Sequence, residues 1–328
     1  MNPRVAVAGA GAWGRNHVRT LNALGSLGGV VETSPSLRQR LQAEYPGIPV
    51  WGSLEQAFPH VEGIVIATPA ATHADLASQA LEGGLGVLVE KPMTLDARHA
   101  EALVGLAVAC GRTLMVGHLL LYQPAVQELK RQLDAGIVGK VLRIDQERLS
   151  HGRVRSQENV LWSFAPHDVA VLFYLMGEAP EGVQASGAAF LQPGIPDDVH
   201  LELAFAGGRS AHIHAAWYWP EKRRGLRVLG ETGMIVYDEA DQSLTLHRKH
   251  LAGGGGPECL FPVDLGAILL YLGQGEALVR EDQHFLDCLH ARTRPLSDGQ
   301  SGVDVIRVLE QADALLHRES LSPVKEPA

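Results

Sequence analysis

Val5-Ala6-Val7-Ala8-Gly9-Ala10-Gly11-Ala12-Trp13-Gly14 is the stretch on which the fold turns. Its first four residues form a short apolar run, and the rest matches GxGxxG directly after that run and at the mouth of a helix. Glycines at this spacing let the backbone approach a pyrophosphate, and the first turn of the helix favours the ligand's negative charge. Glu32 closes the second apolar run, where a carboxylate accepts hydrogen bonds from adenosine ribose hydroxyls and repels a 2′-phosphate. Gly9, Gly11, Ala12, Trp13, Gly14 and Glu32 are therefore candidate cofactor residues, and NAD is expected in preference to NADP. Arg38, on the following helix, is the residue that would argue otherwise by reaching a 2′-phosphate.

Working outward, short apolar runs alternate with amphipathic segments closed by glycine, the rhythm of βαβ units. Strands are predicted at 5–8, 30–32, 64–67, 87–89 and 114–116. Ser53 with Gln56 and Thr72 with Asp75 each fit a capping box, Gly83 and Gly111 sit where C-terminal caps belong, and Thr94 is placed to cap a helix running to Cys110. Gln123-Pro124 opens another helix that Gly136 ends. After Gly139 the segments lengthen and alternate, at 141–149, 182–189, 199–205, 210–218, 226–229, 234–237 and 244–247, with turn signals between them. That series predicts one large, mostly antiparallel open sheet, interrupted by a helix over 165–176 and followed by a glycine-rich loop at 253–257 and a closing helix over 303–317. The fold class is α/β: a Rossmann dinucleotide-binding domain over 1–119, then an α+β domain over 120–328 for substrate binding and oligomerisation.

The chain has 328 residues, 46% of them hydrophobic, and its 36 glycines and 18 prolines stay well below the roughly 25–30% of a low-complexity chain. With 28 basic against 37 acidic residues, a net charge of −9 excludes a surface built to neutralise many phosphates of a nucleic acid. Cys110, Cys259 and Cys288 are odd in number and far apart, which reads as cytosolic thiols rather than a disulfide framework. No apolar run approaches the roughly 18–20 residues of a membrane span. A cytoplasmic protein is expected.

Beyond the carboxyl ends of the predicted strands come Thr68-Pro69 with His73 and Glu90-Lys91-Pro92. With the glycine fingerprint, the change to an antiparallel second domain and the closing Gly302-Val303-Asp304-Val305-Ile306-Arg307-Val308-Leu309-Glu310, they resemble the Gfo/Idh/MocA family of NAD(P)-dependent oxidoreductases. The resemblance implies that Lys91 acts at the reacting hydroxyl and Glu90 lies near the nicotinamide, with Thr68, Pro69, His73, Glu90 and Lys91 beside the cofactor. The chemistry is coherent, because a lysine in a partly dry cleft beside a cationic ring has its pKa lowered and can deprotonate an alcohol. The family's Asp-x-x-x-His-x-x-Asp helix matches Ser163, His167 and Ala170, so the histidine is kept and both carboxylates are absent. Pro166-His167-Asp168 reads as a first helical turn, whose position favours a neutral imidazole, and His167 joins Lys91 as a candidate catalytic residue.

The stretches Gly117 to Pro124, Arg153-Val154-Arg155, Trp162 to Asp168 and Pro220 to Arg223 resemble the branch that oxidises nucleotide-diphosphate amino sugars at C3, the UDP-sugar 3-dehydrogenases. Lys91, His118, Tyr122, Arg153, Trp162 and His167 are the substrate candidates on that footing. The clusters Arg153/Arg155 and Lys222/Arg223/Arg224 offer the cations a diphosphate needs. Two rival activities share the fold: a hydrolase that oxidises a glycoside transiently with retained NAD, and a non-catalytic NAD-binding regulator. His212 and His214 share a strand face, but no third ligand announces itself and no metal is expected. Residues 211, 213, 215 and 217 on one face of that strand and 212, 214, 216 and 218 on the other are largely uncharged, which predicts a homodimer or homotetramer paired through this sheet.

Overall fold

The computed structural model describes residues 2–152, 154–156, 158–253, 259–273 and 275–320. In chain order the first elements are β1 (Val5–Ala8), α1 (Gly14–Ala23), β2 (Leu27–Val31), α2 (Pro35–Glu44), β3 (Val50–Trp51), β4 (Gly63–Ile66), α3 (His73–Glu82), β5 (Gly86–Glu90), α4 (Ala97–Cys110) and β6 (Leu114–Gly117). They continue with α5 (Pro124–Asp134), β7 (Val141–His151), α6 (Val160–Met176), β8 (Gly182–Ala188), β9 (Asp198–Phe205), β10 (Arg209–Ala216), β11 (Tyr218–Gly230), β12 (Met234–Asp238), β13 (Ser243–Ala252), β14 (Phe261–Leu272), α7 (Ala277–Ala291) and α8 (Gly299–Ser320). Contacts divide the chain into two compact units, Met1–Tyr122 with Glu276–Arg307, and Gln123–Gly275 with Val308–Ala328. A division at 119/120 misses this return: α7 and the start of α8 belong to the first unit. Nothing in the apolar pattern of 277–291 marks it as a partner of α1.

In the first unit six parallel strands take the order β3-β2-β1-β4-β5-β6. Every residue of β1, β2, β4, β5 and β6 is buried, as continuous apolar runs covered on both faces require. The strand order reverses between β1 and β4, which opens a crevice beyond their carboxyl ends. Three predicted caps differ. Gln56 accepts from the backbone N–H of Gly52 and Ser53 as a capping box would, yet it closes a turn before the short 3-10 helix Phe58–His60 and no α-helix forms. Thr72 precedes α3, but its hydroxyl donates to the Pro69 carbonyl instead of capping. Asp96, two residues beyond Thr94, caps α4 by accepting from His99 N–H, while the Thr94 hydroxyl donates to the Asp96 carbonyl.

The second unit is built on an eight-stranded sheet of order β14-β13-β12-β11-β7-β10-β9-β8, antiparallel except where β7 pairs with β10. Val199, Leu201, Leu203, Ala211, Ile213 and Ala215 are buried on the face that carries α6. The opposite face is not the uncharged surface that β10 alone predicts: neighbouring strands place Arg143, Asp145, Glu202, Glu147 and Arg227 there, ion-paired as Arg143–Asp145, Arg143–Glu202 and Arg227–Glu147. Apolar exposure lies instead on β14, where Phe261, Leu265, Leu269 and Leu272 are each more than half exposed. The helix predicted from 165 begins at Val160, because Asn159 accepts from Trp162 N–H as the cap and Pro166 sits inside the helix. Among the described residues no helix is long and apolar enough to cross a membrane.

Candidate active site

The glycine fingerprint builds the cradle that the first strand and helix promise. Gly9 has φ +87°, and a Cβ on Gly14 would lie 1.9 Å from the Gly9 carbonyl oxygen, so neither position admits a side chain. At Gly11 a Cβ would meet nothing within 4 Å, which leaves open space at the loop that leads into α1. Gly9, Gly11, Ala12, Trp13, Glu32, Thr68 and Pro69 all line a cleft of about 580 Å³. Glu32 is buried, and its carboxylate accepts from Ala10 N–H at 2.9 Å and Ser34 N–H at 2.9 Å, which fixes it at the cleft wall. The Arg38 guanidinium donates to the carbonyls of Glu32 and Thr33, so it stands behind that carboxylate. A glycine cradle that any Cβ would fill, an open loop and a fixed ribose-reading carboxylate fit a dinucleotide. Gly9 and Gly11 would let the backbone approach its pyrophosphate, Gly14 keeps the loop packed close to α1, and Glu32 would take its ribose.

One strand over, Glu90 ends β5 and is the centre of a buried network. Its Oε1 accepts from the Trp13 indole at 2.6 Å and lies 2.9 Å from His17 Nε2, and its Oε2 accepts from Lys91 N–H at 3.2 Å. His17 Nδ1 lies 2.8 Å from Asp282 Oδ1 on α7, and Glu281 is completely buried beside them. Burial opposes charge on His17, yet Asp282 and Glu90 outweigh it and hold its pKa well above the ordinary histidine value. Burial likewise opposes ionisation of Glu90, but His17, Trp13 and Lys91 overcome it and lower its pKa. Glu281 has no such donors; burial, with Glu90 adding repulsion, raises its pKa well above the carboxylate range and keeps it protonated. Lys91 thus leaves β5 half-buried, next to a carboxylate whose charge is fixed.

Three first-unit candidates are placed differently from expectation. His73 does not line the cleft: it is buried with its two ring nitrogens 2.8 Å from the carbonyls of Thr68 and Pro92, so it ties the loop after β4 to the loop after β5. Tyr122 is buried with its hydroxyl 2.9 Å from Ser297 Oγ, which pins the return segment rather than a substrate. His118 is buried too, and burial, reinforced by Lys91, pushes its pKa down to about 4.

In the second unit Trp162 and His167 lie half-buried on α6, and Arg153 lies outside the described residues. His167 belongs to the second turn of α6, so the helix terminus that was expected to disfavour its charge does not act on it. The residue that follows it carries the stronger interactions. Asp168 is fully buried, accepts from Arg148 Nε at 2.9 Å and from Gln146 Nε2 at 2.6 Å, and Arg148 also donates to Glu239 at 3.1 Å. Burial opposes charge on Arg148, but its two carboxylates outweigh that and raise its pKa. Of the basic group, Arg223 pairs with Glu221 and Arg224 with Glu239.

Two family models match. The oxidoreductase family with an NAD-binding Rossmann fold covers residues 3–118, and the GFO/IDH/MocA C-terminal domain covers 126–236. The chain belongs to the Gfo/Idh/MocA family. The UDP-N-acetylglucosamine 3-dehydrogenase of Acidithiobacillus ferrooxidans is 28% identical over 307 residues, 92% of this chain and 94% of that one. Its solved structure superposes with a TM-score of 0.86 at 26% identity, covering 98% of this chain and 99% of the other. A solved structure from Magnetospirillum magnetotacticum MS-1 is 34% identical with a TM-score of 0.80, covering 94% of this chain and 99% of that one. The NAD⁺-dependent scyllo-inositol 2-dehydrogenase of Bacillus subtilis is 26% identical over 314 residues, 89% of this chain and 88% of that one. This Gfo/Idh/MocA chain is therefore an oxidoreductase with an NAD-binding fold.

Sequence reasoning missed His17, Glu281, Asp282, Arg148 and Glu239. His17 stands four residues past Trp13, one helical turn on, and that spacing was the available signal. Arg148 shares a strand face with the inward-facing Ile144 and Gln146, and a charge at such a position calls for a buried partner. Glu281, Asp282 and Glu239 carried no local signal.

Proposed function

We propose that this oxidoreductase oxidises a ring hydroxyl of a nucleotide-diphosphate amino sugar, at C3, to a ketone, using NAD in preference to NADP. The observation that carries the reading is Lys91 directly after Glu90, whose carboxylate accepts from the Trp13 indole and the Lys91 N–H at the carboxyl end of β5, next to the strand whose following loop lines the cofactor cleft. Similarity over nearly the whole chain to a UDP-N-acetylglucosamine 3-dehydrogenase supports the substrate class. Glu32 supports the cofactor preference, since its carboxylate would repel a 2′-phosphate while Arg38 is occupied by backbone carbonyls. NAD⁺, when bound, supplies the two-electron acceptor for hydride. The Lys91 amine takes the hydroxyl proton as the carbon is oxidised, and His167 of the second unit is the other acid–base candidate. Trp162 packs against the sugar, with Lys222 and Arg223 the cations for the diphosphate, since Arg224 is engaged by Glu239. Subunits pair through the sheet of the second unit, with the exposed apolar residues of β14 as the surface to be covered, in a cytoplasmic enzyme.

The test follows the absorbance of reduced nicotinamide with NAD⁺ and UDP-N-acetylglucosamine, its uronic acid counterpart, or inositols. Accumulation with a UDP sugar is expected; reduction with an inositol alone would overturn the substrate class. Lys91→Ala should lose at least about 10²–10⁴-fold in turnover with NAD affinity kept, and His167→Asn should lose a comparable factor. A rate within about threefold of wild type for either variant would remove that residue from the chemistry.

A further inference from the structure

On the sheet face turned away from α6, the register of β9 and β10 gathers side chains that the proposed oxidation does not use. His200 and His214 are directly opposed across the two strands, Asp198 is two residues from His200, and His212 is two residues from His214. The period of two puts all four on one face. His214 Nε2 lies 3.0 Å from Asp198 Oδ1, His200 Nε2 lies 3.4 Å from the same oxygen, and the two imidazoles stack with centroids 4.0 Å apart. One donor atom from each of Asp198, His200 and His214 lies within 4.8 Å of the other two.

We propose that Asp198, His200 and His214 form a binding site for one divalent ion of borderline softness, Zn²⁺, Co²⁺ or Ni²⁺. Two imidazoles and a carboxylate are the donor set such ions prefer, whereas Mg²⁺ and Ca²⁺ call for oxygen ligands. A tetrahedral centre with bonds of about 2.0–2.1 Å has edges of about 3.3–3.4 Å, and the two distances to Asp198 already fall near that length. The rings are 17° from parallel, so seating an ion requires them to tilt until both lone pairs converge on it. The ion takes the place of the proton shared between His214 and Asp198.

A second layer orients the ligands. His212 Nδ1 faces Asp145 at 3.9 Å, and His212 Nε2 lies 3.1 Å from His200 Nδ1. A proton drawn to His212 Nδ1 by Asp145 leaves Nε2 as an acceptor; His200 Nδ1–H then donates to it, and the His200 Nε2 lone pair faces Asp198. A carboxylate–imidazole chain behind a ligand sets tautomer and ring orientation in this way. Glu202 is engaged by Arg143, and the Trp219 ring meets His214 edge-on at 5.2 Å. The Asp198 and His214 side chains are 17% and 12% exposed, while His200 is 44% exposed and leaves an access route for the ion.

The experiment titrates tag-free, chelator-stripped full-length protein with Co²⁺, followed by its visible absorption, and then with Zn²⁺ by calorimetry. One saturable ion per chain is expected, with Zn²⁺ displacing Co²⁺. His200→Ala and His214→Ala should abolish the Co²⁺ bands, and His212→Ala should weaken affinity about 10–100-fold while keeping them. Metal-free melting equal to wild type shows that the variants fold; His200→Gln, read by the same bands, serves if His200→Ala melts early. Absence of saturable binding overturns the proposal. So does binding unchanged by the His200 substitutions, which would place the ion elsewhere, for example at His17, Glu90 and Glu281.

Discussion

Each unit buries a group of charges, and the two groups are composed oppositely. In the first unit one imidazole, His17, bonds two acids, Glu90 and Asp282, with a third, Glu281, buried beside them and kept protonated by that burial. In the second, Arg148 and Arg224 face Asp168 and Glu239, two guanidiniums against two carboxylates. Guanidinium does not deprotonate in proteins, so the second group is a brace whose positive charges are constant and whose proton content changes only in acid, at its carboxylates. The first can change its proton content, and it lies against the lysine assigned to proton removal. A buried charge cluster thus serves rigidity when its cations are arginines, and responds to pH when the cation is histidine and acids are in excess.

Breaking the brace should have the largest effect. Asp168→Ala leaves Arg148 buried with half its partners and should cost about 3–5 kcal/mol in urea unfolding, nearly independent of pH around neutrality. The apolar double variant Arg148→Met/Asp168→Leu should recover much of that loss; if it does not, the brace is more than an ion pair.

His118, buried within the influence of the first cluster's Glu90 and of Lys91, tests the titrating side. Its folded pKa near 4 lies below the ordinary 6.5, so between these values the unfolded chain binds a proton that the folded chain does not. Stability from this group is complete above pH 6.5, is lost as pH falls towards 4, and amounts to about 3 kcal/mol. His118→Gln should flatten that part of the stability profile; an unchanged slope would mean that other groups carry it.

The smallest expected effect sharpens the contrast within the acid surplus. Glu281 has its pKa raised by burial, so its contribution is present at low pH and is lost as pH rises above 4.5, where the unfolded chain ionises. Glu281→Gln carries no such proton, and should match wild type in acid and gain on it progressively as pH rises to 8. Equal stability at both pH values would mean that Glu281 is ionised in the fold.

Much of this was legible locally. Gly9, Gly11 and Gly14 with Glu32 announced the cradle because backbone clearance and ribose recognition are satisfied within one βαβ unit. The second sheet followed from period-two alternation, although β14 was missed and β3, two residues long, carries no period at all. Gly83, Gly111 and Gln123 stand at the helix ends predicted for them, whereas the start of α4 was assigned to the wrong side chain, since Thr94 and Asp96 compete for one helix start and only backbone geometry chooses between them. Pro166 misled for the same reason: proline favours a first turn, but Asn159 had already opened α6.

By itself, then, the sequence determined the dinucleotide cradle and the change from parallel to antiparallel sheet, both of which rest on residues close together in the chain. Tertiary structure alone decided what surrounds them. It returned α7 to the first unit so that Asp282 meets His17 across 265 positions, placed Glu239 on Arg148 across 91, and set the register that stands His200 against His214. Those partnerships depend on which strands and helices become neighbours, and that is settled by burying whole apolar faces together, a global sum that no local spacing encodes.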